Sequence, residues 1–171
     1  MMDLKDTIRS IKDFPEKGII FRDITTLLKD GNALRQAVDE MADALSDVDY
    51  DIVVAPESRG FIFGMPIAYN KCKGFVPIRK KGKLPAETVS KEYALEYGTA
   101  TIEMHVDALQ KGQKVVILDD LLATGGTAKA MIELVESVGA EVAGLCFLIE
   151  LEDLKGRDVL KGYNVKSILK Y

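Results

Sequence analysis

The sequence predicts an α/β fold with a mainly parallel central sheet flanked by helices, in a single domain over residues 1–171. Two observations support this prediction. Short apolar runs alternate with amphipathic helical patterns along the chain, and these runs are nearly continuous, as in strands covered on both faces. The chain has 171 residues, of which 47% are hydrophobic and 29% charged, which is typical of one globular domain.

The first elements are short. Apolar residues at 4, 8 and 11 have helical spacing, and Phe14-Pro15 would end this helix. Residues 19–21 predict a strand or an extended loop. Asp30-Gly31-Asn32 opens a longer helix with one apolar stripe. This stripe consists of Leu34, Val38, Met41 and Leu45.

The middle of the chain predicts two strands with a helix between them. Apolar runs at 51–55 and 75–79 predict the strands. Residues 62–69 have helical spacing, although Gly64 and Pro66 disfavour a helix. The next segment, from Lys80 to Pro85, is a basic loop.

The last third begins with a predicted hairpin, in which 93–97 pairs with 100–106. The run at 114–118 is typical of a buried strand. Residues 128–138 predict an amphipathic helix that ends at Gly139. Two further strands complete the prediction: 142–149 and 165–169. In such sheets, ligands bind beyond the carboxyl ends of the strands.

Composition excludes several functions. The chain has 23 basic and 27 acidic residues and a net charge of -4, which argues against nucleic acid or anionic membranes as partners. One histidine and two cysteines exclude a four-ligand zinc site of the usual types. We interpret His105 as a strand residue without a catalytic role, and Cys72 and Cys146 as buried thiols in a reducing cytoplasm. No apolar run approaches the ~20 residues of a membrane helix.

The segment after the 114–118 strand has the properties of a phosphate-binding loop. Glycines allow close backbone approach and a positive φ, threonine hydroxyls donate hydrogen bonds, and the following helix offers unpaired N–H groups. A Walker A loop is excluded because the Gly-Lys-Ser/Thr ending is missing. The predicted phosphate ligands are Ala123, Thr124, Gly125, Gly126 and Thr127.

Two adjacent carboxylates, Asp119 and Asp120, precede this loop. They would repel a phosphate, but they accept hydrogen bonds from hydroxyl groups. A phosphate with a vicinal diol nearby is a ribose 5-phosphate, so we expect these residues to bind ribose hydroxyls. The alternative is an acidic turn before a glycine-rich start of a helix.

Residues 118–127 resemble the signature with which type I phosphoribosyltransferases bind phosphoribosyl pyrophosphate. Four further segments resemble the adenine-specific members and follow the family's order: Phe21–Ile24, Val54–Gly64, Arg79–Pro85 and Tyr93–Gly98. Thr26 departs from the proline that the family often has there. The resemblance implies the family's fold, with a small N-terminal hood and a flexible hairpin loop.

The resemblance also implies the reaction and its partners. Adenine and phosphoribosyl pyrophosphate would give AMP and pyrophosphate, with Mg²⁺ carried by phosphoribosyl pyrophosphate and no dedicated metal site in the protein. A cytoplasmic homodimer is expected, with Glu57–Gly64 in the interface.

Site residues follow from the same resemblance. Arg59 and Lys83 would meet the pyrophosphate charge, with 57–60 as the pyrophosphate loop. Glu96 would be the acid/base at purine N7. The remaining predicted substrate ligands are Ile20, Phe21, Arg22 and Tyr97, with Phe21 stacking on the purine. Structural alternatives stay open: a surface ion pair for Arg59, a solvated basic edge around Lys83, an exposed hairpin glutamate and a core phenylalanine.

Three competing functions also remain. A xanthine or hypoxanthine phosphoribosyltransferase would share the fold. A non-catalytic regulator that senses phosphoribosyl pyrophosphate would need a DNA-binding appendage, for which this acidic chain has no room. A magnesium-dependent phosphatase would need Asp-x-Asp-x-Thr, which Asp119–Leu122 does not supply. Residues 81–101 are further predicted to close over the site as a lid.

Overall fold

The computed structural model describes residues 2–95 and 98–171. The chain divides into two compact units, Met1–Glu40 and Met41–Tyr171. The first is a small unit with its own sheet, as the predicted hood requires. The single domain over 1–171 stays a prediction.

The N-terminal unit is built around a two-stranded antiparallel sheet. A 3-10 helix, Leu4–Thr7, leads into β1, Arg9–Lys12, which pairs with β2, Ile20–Asp23. The predicted helix over 4–11 is therefore wrong. Its second half is extended because the backbone of β1 takes its hydrogen bonds from β2, where Arg9 lies opposite Asp23.

Two helices follow β2. The short helix α1 spans Thr25–Leu28, and α2 spans Gly31–Ala44, which confirms the longer predicted helix. Asp30 caps α2, because its carboxylate accepts hydrogen bonds from the backbone N–H groups of Asn32 at 2.9 Å and Ala33 at 3.1 Å.

The second unit contains a seven-stranded sheet in the order β5-β6-β4-β3-β7-β8-β9. Its strands are β3 (Ile52–Pro56), β4 (Gly74–Lys80), β5 (Thr88–Ala94), β6 (Thr99–His105), β7 (Lys114–Leu122), β8 (Glu141–Glu150) and β9 (Val165–Lys170). The five strands from β4 to β9 in this order are parallel to one another, and the β5–β6 hairpin joins β4 in antiparallel orientation. The predicted α/β class with a mainly parallel sheet is confirmed.

Helices α3, Arg59–Asn70, and α4, Gly126–Ser137, pack against the sheet. Glycine disfavours a helix in isolation, but the packing of α3 on the sheet requires a glycine at position 64. A Cβ there would lie 2.9 Å from the Phe75 ring and 3.0 Å from the Ala55 Cβ. The main core joins several strands of the sheet to α4, and its members Ile117, Met131 and Leu145 are fully buried. Each such side chain stabilises the fold by about 1.5–3 kcal/mol.

The hairpin differs from its predicted bounds. Its first strand, β5, covers 88–94 and ends close to where 93–97 was predicted to begin. Alternate residues of β5 are half-buried, and Val89 and Tyr93 among them pack on the core. Lys91 interrupts this pattern in the sequence, but its ammonium pairs with Glu133 of α4 at 2.6 Å. The hairpin is thus anchored along α4, and closure of a lid over 81–101 stays a prediction.

The two thiols are free and differ in exposure. Cys146 is buried as predicted, whereas Cys72 is exposed, so its predicted burial is wrong. Cys72 follows the end of α3 in a tight turn with a φ of 52°, which directs it out of the core. In the described part of the chain, no helix has the length and apolar character needed to span a membrane.

Candidate active site

The candidate site forms where two parallel strands end. Strand β7 extends to Leu122, four residues beyond the predicted end, because its pairing with β8 continues through Asp119 and Leu121. Both aspartates therefore belong to the strand and not to a loop. The neighbouring strand β3 runs parallel to β7, so the segment after β3 reaches the same edge of the sheet.

A cavity of about 180 Å³ lies at this edge. Gly125 has a φ of +85° and forms the N-cap of α4, so the chain turns sharply from the loop into the helix. The lining combines both aspartates, Arg59, the predicted phosphate ligands and several apolar residues. The lining residues are Arg59, Asp119, Asp120, Leu121, Leu122, Ala123, Thr124, Gly125, Gly126, Thr127, Ala128 and Phe147.

The two loop glycines have different roles. Gly125 has the positive φ that a side chain would resist, and a Cβ there would lie 2.4 Å from the Val159 Cγ2 atom. A Cβ on Gly126 would meet its nearest neighbour, the Ala94 carbonyl oxygen, only at 3.7 Å. Gly126 therefore keeps a space open, whereas Gly125 is needed for the backbone turn.

Arg59 lies beside the acidic pair. Its Nε is 3.1 Å from the Asp120 Oδ2, and the Asp120 side chain is 5% exposed. Asp119 Oδ1 accepts a hydrogen bond of 2.8 Å from the Asp120 backbone N–H. Burial, followed by repulsion from the Asp120 carboxylate, raises the pKa of Asp119 well above its usual value. Burial also raises the pKa of Asp120, against the opposing effect of Arg59.

A third carboxylate, Glu57, connects the segment after β3 to Arg79 and the start of the basic loop. Its Oε1 accepts a hydrogen bond of 2.6 Å from the Lys80 backbone N–H, and its Oε2 lies 3.3 Å from Arg79 Nη2. These bonds, the backbone bond first, lower the pKa of Glu57. The Glu57–Ser58 peptide bond is cis.

Lys83 lies apart from this group. It is exposed and is not among the described residues that line the cavity. Its charge nevertheless contributes to lowering the pKa of Glu57. The structure thus brings Arg59 to the acidic pair and leaves Lys83 on the surface.

The predicted purine ligands belong to the N-terminal unit. Ile20 is 44% exposed, and Phe21 is half-buried with its ring edge-on to Phe14 at a centroid distance of 5.3 Å. Arg22 Nη1 donates a hydrogen bond of 2.6 Å to Ser10 Oγ. The predicted residues Glu96 and Tyr97 lie outside the described residues.

Two residues beside the phosphate loop were not predicted from the sequence as site residues. Phe147 lines the cavity because it lies opposite Asp119 in the β7–β8 pairing. The Tyr93 hydroxyl is 3.4 Å from the Thr127 hydroxyl at the start of α4. Only the pairing of distant segments reveals Phe147, whereas Tyr93 was already noted in a matching segment.

The acidic pair supplies oxygen donors of the kind that Mg²⁺ prefers. The described residues contain no group of three or more His, Cys, Asp or Glu side chains that would hold a metal ion unaided. Two carboxylates are a common protein contribution to an Mg²⁺ ion whose other ligands are substrate phosphates and water.

Comparisons with known proteins agree on one family. Residues 25–170 match the phosphoribosyl transferase domain. The chain is 60% identical to the adenine phosphoribosyltransferase of Lachnoclostridium phytofermentans over 100% of this chain and 98% of the relative. The crystal structure of the adenine phosphoribosyltransferase from Thermoanaerobacter pseudethanolicus superposes with a TM-score of 0.95 at 54% identity, covering 98% of each chain.

A second similar crystal structure contains bound ligands. The adenine phosphoribosyltransferase of Saccharomyces cerevisiae, in complex with an imino-altritol bisphosphate and adenine, superposes with a TM-score of 0.90. Its identity to this chain is 37%, and 96% of each chain is covered.

Proposed function

The chain belongs to the phosphoribosyl transferase domain family, among the adenine phosphoribosyltransferases, and from this premise we propose how its residues carry out the reaction. The enzyme transfers the 5-phosphoribosyl group of phosphoribosyl pyrophosphate to adenine and releases AMP and pyrophosphate. One observation supports the assignment most strongly: the loop 123–127, the acidic pair and Arg59 line a single cavity.

Each part of that cavity suits one part of the substrate. The loop N–H groups and the start of α4 bind the 5-phosphate. Asp119 and Asp120 accept hydrogen bonds from the ribose hydroxyls, since a carboxylate favours a diol over a phosphate. Arg59 meets the negative charge that develops on the leaving pyrophosphate. We expect Lys83, which lies on the surface in this structure, to contact the pyrophosphate only once the substrate is bound. We expect the purine to be bound by Ile20, Phe21, Arg22 and Tyr97.

A purine assay tests this function. Product formation from phosphoribosyl pyrophosphate is compared with adenine, hypoxanthine, guanine and xanthine under one set of conditions. We expect AMP from adenine and little product from the other three. Faster turnover of hypoxanthine or xanthine would identify the alternative phosphoribosyltransferase, and binding of phosphoribosyl pyrophosphate without any product would indicate a regulator.

Glu96 is proposed as the acid/base that holds or donates the proton at purine N7. General acid/base groups contribute roughly 10²–10⁴-fold to turnover. We therefore expect Glu96→Gln and Glu96→Leu to lower kcat by that factor, while binding of phosphoribosyl pyrophosphate changes little. Turnover of both variants within about threefold of the parent protein, some 0.65 kcal/mol in the barrier, would exclude this role.

Magnesium is proposed as a partner of the substrate. The ion would neutralise phosphate charge when bound, and we expect Asp119 and Asp120 to accept hydrogen bonds from its water ligands. Titration of magnesium in the presence and absence of phosphoribosyl pyrophosphate tests this. Tight binding of the ion to the protein alone would contradict it.

A homodimer is also proposed. The expected interface, Glu57–Gly64, includes residues that are buried within the protomer, such as the fully buried Phe63. Two exposed apolar side chains lie further along α3, where Met65 is 48% and Tyr69 80% exposed. Light scattering at micromolar concentration should give twice the chain mass, and a Tyr69→Lys substitution should weaken the association. An active monomer would contradict the proposal.

The cytoplasm is the proposed location. Two thiols that are both free suit a reducing compartment, and purine salvage takes place where nucleotides are used. Fractionation of cells that produce the protein at natural levels tests this location.

A further inference from the structure

A 3-10 helix that has no part in the proposed reaction packs directly against the phosphate loop. We call this helix, Gly156–Leu160, the support helix. A Cβ on Gly156 would lie 2.3 Å from the Ala123 carbonyl oxygen and 2.9 Å from a Leu122 methyl carbon. A Cβ on Gly125 would lie 2.6 Å from the Gly156 carbonyl oxygen. Ordinary carbon contacts need about 3.5–4.0 Å, so the two backbones touch with no room for a methyl group.

Arg157 fixes the support helix to the sheet. Its Nε and Nη2 donate to the two carboxylate oxygens of Glu150 at 2.6 and 2.8 Å, and its Nη1 donates to the Val165 carbonyl oxygen at 2.8 Å. Nη2 also donates to Ser167 Oγ at 3.0 Å. Glu150 is only 4% exposed, and the bonds from Arg157 lower its pKa. A bidentate pair of this kind fixes orientation as well as position.

Arg157 binds to β8, the strand that pairs with β7 at the point where the phosphate loop begins. Glu150 lies opposite Leu122, the last residue of β7, in the β7–β8 pairing. The loop leaves the sheet directly after Leu122. The Arg157–Glu150 pair therefore ties the support helix to the point where the phosphate loop begins, and Gly156 transmits that position to Ala123 by direct contact.

We propose that Gly156 and Arg157 are positioning residues for the 5-phosphate of phosphoribosyl pyrophosphate and AMP. They hold the loop 123–127 in the shape that aims its N–H groups into the cavity, without touching the ligand. This inference rests on the proposed function. The N–H groups must lie about 2.7–3.2 Å from the phosphate oxygens, and a displacement of roughly 1 Å costs on the order of 100-fold.

Gly156→Ala, Arg157→Lys and Arg157→Ala test the proposal. Gly144→Ala is the glycine control, because a Cβ there would lie 3.5 Å or more from its neighbours. Tyr163→Phe is the hydrogen-bond control, because it removes a 2.8 Å bond to Glu136 away from the loop. For each protein we measure KM for phosphoribosyl pyrophosphate, kcat, the Kd of AMP by calorimetry, and Tm.

We expect Gly156→Ala to raise both the KM for phosphoribosyl pyrophosphate and the Kd of AMP by roughly 10–100-fold, with kcat at saturation within about threefold. Arg157→Ala should act in the same direction, and Arg157→Lys more weakly, because lysine keeps the charge but loses the bidentate geometry. A purely structural role gives a different result: a smaller active fraction lowers the apparent kcat and Tm and leaves KM unchanged. Both controls should keep KM and Kd.

Values of KM and Kd within about threefold of the parent protein in Gly156→Ala would overturn the proposal. If that variant does not fold, the same values for the two Arg157 variants decide the question. A parent protein that neither binds AMP nor forms it would contradict the proposed function itself, and with it this inference. If the parent protein binds and forms AMP, the KM and Kd values of the variants test only the role of the support helix.

Discussion

Two aspartate sites in this chain have opposite electrostatics. In the N-terminal unit, Asp23 accepts hydrogen bonds from Arg9 and from the backbone N–H and hydroxyl of Thr25, and these bonds lower its pKa to about 2. At the cavity, Asp119 faces the carboxylate of Asp120, and burial raises its pKa. Asp23 is satisfied within its own unit, whereas burial and the neighbouring Asp120 carboxylate outweigh the groups that favour the charged form of Asp119.

The difference separates a structural site from the proposed functional one. A carboxylate that accepts several hydrogen bonds contributes to stability, and a buried carboxylate beside a like charge reduces it. Perturbed groups of the second kind cluster where ligands bind. Five predictions test this contrast, from the largest expected effect to the smallest.

The cavity should lose its ligand without loss of the fold when its space is filled. Gly126→Val places a branched side chain in the space above the loop, where the nearest neighbour of a Cβ is 3.7 Å away. We expect AMP affinity to fall on the order of 100-fold or more, with little change in Tm. Calorimetric titration of AMP measures the first and a melting curve the second. Normal AMP affinity would show that the loop does not bind the phosphate.

Removing the charge at the acidic pair should lower activity and raise stability. Asp119→Asn and Asp120→Asn remove an acceptor charge for the ribose hydroxyls, so kcat/KM should fall roughly 10–100-fold. Asp119→Asn also removes a partly buried charge beside a like charge, and Tm at pH 7 should rise by about 2–4 °C for each kcal/mol gained. An unchanged kcat/KM in both variants would contradict their assignment.

The pH dependence of that stability gives an independent test. The folded chain keeps the proton of Asp119 at a pH where the unfolded chain, with a pKa near 3.8, has lost it. Stability of the parent protein therefore falls as pH rises from 3.8 through the raised pKa of Asp119. Denaturant unfolding of Asp119→Asn should lack this part of the slope, and the advantage of the variant should vanish in acid.

The satisfied aspartate should behave in the opposite way. Asp23→Asn weakens the contacts with Arg9 and Thr25, and we expect a loss of about 1–2 kcal/mol at pH 7. Because the pKa of Asp23 falls from 3.8 to about 2 in the folded chain, its contribution is complete above 3.8 and is lost as pH falls towards 2. Unfolding measured from pH 2 to 7 tests both points. Stabilisation at neutral pH would reverse the contrast between the two sites.

The thiols extend the contrast to groups without a proposed role in catalysis. Burial raises the pKa of Cys146 to about 12, whereas Cys72 is exposed. A disulfide reagent at pH 8 should therefore modify one thiol per folded chain and two in denaturant. Activity should stay unchanged after modification of Cys72. Rapid modification of both thiols in the folded protein would show that the core around Cys146 opens readily.

Sequence patterns predicted the parts of the fold that depend on local order. Continuous apolar runs identified the five parallel strands, and apolar spacing identified α2 and α4. Patterns failed where pairing overrides spacing: residues 9–12 have helical spacing, but β2 holds them extended. They also failed at Cys72, whose exposure depends on the direction of a turn.

The sequence by itself determined the chemistry of this protein. The types and order of residues from Asp119 to Thr127 carry the signature of a ribose phosphate site, because charge, glycine freedom and hydroxyl donors are properties of single residues. Only the tertiary structure placed Arg59 against Asp120, Phe147 beside Asp119 and Gly156 against Ala123. These contacts join segments far apart in the chain. They depend on strand order and register, which continuous apolar runs buried on both faces do not specify.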